Sequence, residues 1–341
     1  MIRLKAKHYI LTVITCILLC SGIAYYYFFT TMAENTETAY IYIDADDNQD
    51  SVFTKLKSLS SNHGLNGFKT IVRHSKYAEN IHTGRYAIKP GENAYDIFNR
   101  LKSGQQSSMN LRIPSFRTMD KLAGHLGRKL MIDSLTLVKA FYDTAFCKKY
   151  GYSVETLPAL FVPNTYDMFW NVSLENFMKR MTKEHQAFWN KERTAKADSL
   201  KLSKTEVATL ASIIDEETAN NGEKPMIAGM YLNRLRINMP LQADPTIKFA
   251  MKEFKIRRIY NNMLKTESPY NTYINTGLPP GPIKIASIAG IDAVLNFVDH
   301  KYLYMCAKED FSGTHNFAAT YREHLNNAIR YRKALNKRNI K

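Results

Sequence analysis

Three consecutive carboxylates, Asp215, Glu216 and Glu217, close a stretch that reads as a helix, and an acid held there can act as a proton donor. Ser203 followed by Glu206 has the spacing of a capping box. The Ser hydroxyl accepts the amide hydrogen three residues on and the Glu reaches back, which predicts a helix from Lys204. At about 100° per residue from Val207, the apolar Leu210, Ala211 and Ile214 share one face. Glu216 then lies opposite that face and is expected in solvent. Asp215 sits on the flank near Ala211, and Glu217 follows Ile213 by one turn and Leu210 by two. An apolar neighbourhood disfavours the carboxylate anion, and the partial negative charge of a helix C-terminus adds to that. Both push Glu217 toward the neutral acid, the state a general acid needs near neutral pH. The plainer reading is a solvated acidic helix end, because charged side chains are mostly exposed.

The residues that follow must frame such an acid. Asn221-Gly222-Glu223 breaks the chain, Pro225 suits a first helical turn, and residues 226–236 read as a second helix. On it Asn233 shares a side with Met226, Met230 and Ile237, as either a satisfied core hydrogen bond or a ligand contact. A polar turn follows, Leu241-Gln242-Ala243-Asp244-Pro245-Thr246. Then Pro269-Tyr270-Asn271-Thr272-Tyr273 leads to Gly277-Leu278-Pro279-Pro280-Gly281-Pro282. So many Pro and Gly residues hold a loop in one shape beside aromatic and amide side chains able to stack on and hydrogen-bond sugars.

Together, Ala211-Ser212-Ile213-Ile214-Asp215-Glu216-Glu217-Thr218, Tyr231-Leu232-Asn233-Arg234-Leu235 and the three loop motifs resemble the endolytic murein transglycosylases of the MltG (YceG-like) family. The likeness runs in order through the C-terminal half to His315-Asn316-Phe317, includes Phe161-Val162-Pro163-Asn164-Thr165-Tyr166, and fades before about Gly84. It implies that Glu217, directly before Thr218, is the catalytic glutamate. The position two before it is often Glu in the family and is Asp215 here, which argues against a strict need for its length. It also implies a mechanism with one carboxylate, where ordinary glycosidases use two. The glutamate protonates the oxygen between N-acetylmuramic acid and N-acetylglucosamine, then takes the proton of the muramyl C6 hydroxyl as that group closes a 1,6-anhydro ring. Asn233, Gln242, Asp244, Asn271, Tyr273 and His315 are expected to position the glycan or orient Glu217. His315 reads equally as a surface histidine after Ser312-Gly313.

The first thirty residues bear on where such an enzyme works. Residues 9–29 carry no charged side chain, and at ~1.5 Å per residue a helix of that length crosses a hydrocarbon layer of ~30 Å. Arg3, Lys5 and Lys7 precede it and Glu34 and Glu37 follow. The positive-inside rule therefore predicts a single pass through the inner (cytoplasmic) membrane, with the N-terminus cytoplasmic and the catalytic body outside. A secretory signal is disfavoured by the length, and a lipoprotein signal by Leu19 before Cys20. A net charge of +16 would otherwise suggest nucleic acid. In this compartment, with dispersed basic residues and a basic tail (Arg330, Arg332, Lys333, Lys337, Arg338, Lys341), it reads as a surface facing anionic lipid or wall polymer. Of four cysteines, only Cys147 and Cys306 lie beyond the apolar segment, which supports neither a disulfide framework nor a zinc site.

Between anchor and acid, one pattern recurs: a short alternating strand, a turn, then a helix. Residues 40–43 lead to Val52, Phe53 and Leu56; residues 86–88 lead through Lys89-Pro90-Gly91 to Ile97, Phe98 and Leu101; residues 111–114 lead to Leu122 and Leu126. These units resemble LysM modules, a likeness that implies either sugar binding or bracing of the catalytic part. Asp44, Asp46 and Asn48 mimic a calcium loop, but Gln49 and Lys55 stand where Gly and Glu are needed. Residues 134–201 turn helical, with a break at 160–166 and an apolar stripe of Phe177, Met181, Phe188 and Trp189.

The expected class is α+β. Residues 1–8 are a cytoplasmic N-terminus, 9–29 a transmembrane helix, 30–130 LysM-like strand-helix modules, 131–202 a helical connection and 203–341 a mixed α+β catalytic region. No metal or organic cofactor is implied. The expected partners are peptidoglycan strands and the cell-wall glycan polymerases that make them, not nucleic acid. Two rival functions are a non-catalytic wall-binding scaffold and a hydrolytic muramidase.

Overall fold

The computed structural model describes residues 2–256 and 258–338, with side chains from residue 6 onward. The side chains of Arg3 and Lys5, and Lys341 of the basic tail, lie outside the described residues. The chain divides into two units. One comprises residues 1–111, 129–131 and 166–172; the other comprises 112–128, 132–165 and 173–341. Helix and strand are mixed in both, as expected.

The first unit begins with α1 (Ile2–Phe28), of which Ala6–Phe28 is long and apolar enough to cross a membrane. Its side chains are exposed almost throughout, Tyr9 at 79% and Leu18 at 67%. Then come β1 (Ala39–Ile43), α2 (Gln49–Lys57), α3 (Asn62–Arg73), β2 (Gly84–Ile88) and α4 (Ala94–Lys102). The first two strand-and-helix copies are not separate bodies: β1 pairs antiparallel with β2, from Ala39 opposite Ile88 to Ile43 opposite Gly84. Alternation sends Ile41 and Ile43 into a core with Val52, Phe53, Leu56, Ile97, Phe98 and Leu101.

The repeating pattern does not include α3, whose Gly64 and Gly67 weaken a helix taken alone. It forms because Ser61 caps it and Leu65, Phe68 and Val72 share a buried face. Both glycines serve close approach. A Cβ on Gly67 would overlap the Tyr27 carbonyl, and one on Gly64 would lie 2.5 Å from the Met32 Cβ. The end of α1 is thus held against α3, with Tyr26 stacked on His63 at 4.5 Å.

The chain passes between the units within β3 (Met109–Ile113) and β4 (Asn164–Met168). The second unit contains α5 (Met119–Gly127), the helix of the third copy, followed by α6 (Ser134–Phe141) and α7 (Thr144–Lys149). After β4 come α8 (Leu174–Phe188), α9 (Lys191–Ser199), α10 (Lys204–Glu217), α11 (Lys224–Arg236), α12 (Asp244–Ala250) and α13 (Ile288–Leu295). The chain ends with the hairpin β5 (Tyr304–Ala307) and β6 (His315–Ala318), then α14 (Tyr321–Lys337). The core surrounds α10: every residue from Val207 to Ile214 is buried, packed with Ile227, Met230 and Tyr231 of α11 and Ile291 and Val294 of α13.

Replacing Gly67 by Val forces α3 away from the Tyr27 carbonyl and is expected to cost about 2 kcal/mol. The measurement is denaturant unfolding of the detergent-solubilised chain; an unchanged midpoint would mean that α1 and α3 do not meet there.

Candidate active site

The capping box at Ser203 and Glu206 forms as the spacing predicts and starts α10 at Lys204. From there the helix departs from the one-faced picture, because it is buried all round up to Ile214. Three carboxylates leave it within one turn, and each meets a different partner.

Asp215 has only 3% of its side chain exposed. It accepts from Lys224 Nζ at 2.7 Å, from the Ser287 amide at 2.6 Å and from Ser287 Oγ at 2.7 Å. Glu216, expected in solvent, is instead largely covered and bound by Arg117 Nη2 at 2.7 Å and Lys284 Nζ at 2.8 Å. The helical wheel failed here because segments distant in sequence cover the side it assigned to water. Burial works to raise the Glu216 carboxyl, but hydrogen bonds and charge from Arg117 and Lys284 outweigh it and hold the group below its ordinary value.

Glu217 has no cation within ion-pair distance among the described residues. Its Oε1 accepts from the Tyr231 hydroxyl at 2.7 Å. Burial pushes its carboxyl up to about 7; the Tyr231 hydrogen bond opposes this, the charge of Asp244 adds to it, and Lys248 and Arg234 draw it down. The residue as a whole retains partial solvent access.

Asp244 begins α12, with Pro245 in the first turn, and its Oδ1 accepts from the Tyr273 hydroxyl at 2.5 Å. Their two loops are joined: the Gln242 amide donates to the Thr272 carbonyl at 2.9 Å, the Ala243 amide to Thr272 Oγ1 at 3.0 Å, and the Thr246 and Thr272 hydroxyls lie 2.8 Å apart. Gln242 takes a left-handed backbone (φ 50°), uncommon for a residue with a side chain. Asn271 is fully buried. Its Nδ2 donates to the carbonyls of Leu264 and Thr266, and its Oδ1 accepts from the Tyr273 amide at 2.9 Å.

Asn233 gives its Nδ2 to the carbonyls of His300 at 2.6 Å and Tyr302 at 3.1 Å. His315 Nδ1 lies 3.0 Å from Glu223 Oε2, and its amide donates to Glu223 Oε1 at 2.5 Å. Of the residues singled out in the sequence, Asp244 and Tyr273 gather with Glu217, and Gln242 joins them through Arg234, whose Nη1 lies 3.4 Å from its Oε1. Asn233, Asn271 and His315 hydrogen-bond to the surrounding frame.

Tyr231, Arg234 and Lys248 act on Glu217 but were not singled out. Tyr231 and Arg234 lie inside a quoted motif, yet only tertiary packing gives them partners. Arg234, buried, spends Nε on the Leu303 carbonyl at 2.6 Å and Nη1 on the Leu241 carbonyl at 2.7 Å. Its charge is therefore held by carbonyl oxygens near the site.

A half-buried glutamate near neutrality, with a hydroxyl donor and a nearby exposed aspartate, is the equipment of an acid–base catalyst. The sequence pattern of the YceG-like family matches residues 41–330, and the chain belongs to that family. It is 30% identical over 288 residues to the endolytic murein transglycosylase of Bacillus subtilis, covering 78% of each chain. The protein of that name from Streptococcus pneumoniae is 25% identical over 279 residues, 72% of this chain and 49% of the pneumococcal one. A yceG-like protein of known structure from Listeria monocytogenes superposes with a TM-score of 0.56 at 27% identity, covering 86% of this chain and 99% of the other.

Lys224→Met leaves Asp215 buried without its cation and is expected to cost about 3 kcal/mol. Urea unfolding measures it, and a loss below about 0.5 kcal/mol would mean that the pair does not hold α10 in place.

Proposed function

We propose that the chain is an endolytic lytic transglycosylase of murein, anchored by α1, in which Glu217 cleaves the bond between N-acetylmuramic acid and N-acetylglucosamine. The observation that carries this reading is the Glu217 carboxyl, pushed by burial up to about 7, whose direct partner among the described residues is the Tyr231 hydroxyl. At that value the group gives up and takes back a proton at similar cost, and one residue must do both here.

The protonated Glu217 donates to the glycosidic oxygen as the bond to the muramyl C1 breaks. Positive charge develops on the sugar ring, and Asp244, fixed by Tyr273, is the carboxylate available to oppose it. Glu217, now an anion steadied by Tyr231, accepts the proton of the C6 hydroxyl, which attacks C1 and closes the 1,6-anhydro ring. No water is consumed, and the tethered nucleophile supplies a high effective concentration. Asn233, Gln242, Asn271 and His315 act through the loops and strands they hold. In the first unit, the strand–helix–helix–strand order from β1 to β2 suits a LysM-like role in gripping the strand. Basic residues before the apolar span support a cytoplasmic N-terminus, and nascent strands beside the glycan polymerases are the expected substrate.

One observation favours a hydrolytic variant: Asp244 is a second carboxylate whose charge acts on Glu217. Product mass separates the two, because hydrolysis adds a water and transglycosylation does not. The detergent-solubilised chain acting on un-crosslinked strands is expected to give anhydromuramyl ends, and Glu217→Gln to lower the rate by about a thousandfold. Parental rates in that variant would remove Glu217 from the reaction.

Loss of the Glu217 proton is expected to make kcat/KM fall as pH rises through about 7. The Tyr231 hydrogen bond stabilises the anion, so Tyr231→Phe raises the carboxyl further and moves that limb up by about one pH unit. A shift to lower pH would contradict the assignment.

A further inference from the structure

A groove leads away from the end of α10 that the chemistry at Glu217 does not use. Its near part, about 100 Å³, is lined by Arg117, Glu216, Pro245, Lys248 and Phe254 among others. Arg117, Phe249 and Phe254 also line a second part of about 360 Å³, which lies directly beside the first. Lys248 lines the near part and its charge acts on Glu217, and Glu216 and Pro245 are chain neighbours of Glu217 and Asp244, so the near part lies close to the reacting centre.

Its chemistry changes along its length. At the near end are Arg117 and Lys248, with the one carboxylate there, Glu216, already neutralised by Arg117 and Lys284. The middle is aromatic. Phe249 lies 4.7 Å from Tyr270 and 6.3 Å from Phe254, and Arg117 sits 5.7 Å over the Phe254 ring. The wider part brings in two carboxylates, Asp120 and Glu155, with Lys252.

We propose that this groove holds the peptide stem of the muramyl residue at the cleaved bond, an inference that rests on the transglycosylase reading. Such a stem starts at the muramyl lactyl group, carries a free carboxylate early and an aliphatic amine later. Lys248 takes the carboxylate, Phe249, Phe254 and Tyr270 take the aliphatic part, and Asp120 and Glu155 take the amine. Binding energy from this remote part of the substrate then fixes the muramyl ring over Glu217, so its removal costs turnover as well as affinity.

The test uses the full chain in detergent on glycan strands of matched length: with stems, with stems removed by an amidase, and with the early stem carboxylate converted to an amide. Stem-bearing strands are expected to be cut with a kcat/KM about tenfold above bare ones, and amidation to remove several-fold of that advantage. Phe254→Ala is expected to bring the stemmed-to-bare ratio toward one. Equal cleavage of stemmed and bare strands by the parent, or an unaltered ratio in Phe254→Ala, overturns the groove assignment alone. No cleavage of any strand overturns the transglycosylase reading and this inference with it.

Discussion

A carboxylate taken out of water has to be matched by a cation or hold its proton, and that constraint organises the end of α10. The helix runs through the core with every residue from Val207 to Ile214 buried, so its last three acids emerge into protein. Asp215 is answered by Lys224 and Ser287, and Glu216 by Arg117 and Lys284. Glu217 is answered, among the described residues, by the Tyr231 hydroxyl, and burial raises its carboxyl. The two paired neighbours fix the helix end, and the third is left to exchange a proton.

What surrounds this turn is largely a matter of backbone groups finding partners. Arg234 is caged by the Leu303 and Leu241 carbonyls, and Asn233 ties α11 to the segment at His300 and Tyr302. Ser212, inside α10, accepts the Ile283 amide, and Phe116 accepts the Ile285 amide through its carbonyl, so the Pro- and Gly-rich loop is fixed at its far end. Gly281 allows that loop to pass against the Glu155 carbonyl, where a Cβ would overlap. Such satisfied loops lose little entropy when a substrate arrives, which is the physical meaning of a preorganised site.

The first unit uses the same close approach for another end. Gly64 and Gly67 let α3 lie against the last turns of α1 and Met32, and Thr30 Oγ1 reaches His63 Nε2 at 3.0 Å. A helix joined this way passes its orientation to the unit through packing and not through a slack linker.

Local rules were enough for what depends on neighbours in the chain. The Ser203–Glu206 box, the short strands at β1, β2 and β3 and the apolar faces of α2, α4 and α5 all follow from spacings of two, three and four residues, because caps and periodicities are satisfied within a turn or two. The wheel also separated Glu217 from Glu216, although for Glu216 it placed water where Arg117 and Lys284 stand. Those partners lie 99 and 68 residues away in the chain, and no local period encodes a distant cation. The joining of β1 to β2, the glycine-bearing α3, and the gathering of Tyr231, Arg234, Lys248, Asp244 and Tyr273 around one carboxyl were likewise decided by tertiary packing. Burial and charge are sums over everything nearby in space, and the chain alone does not say what is nearby.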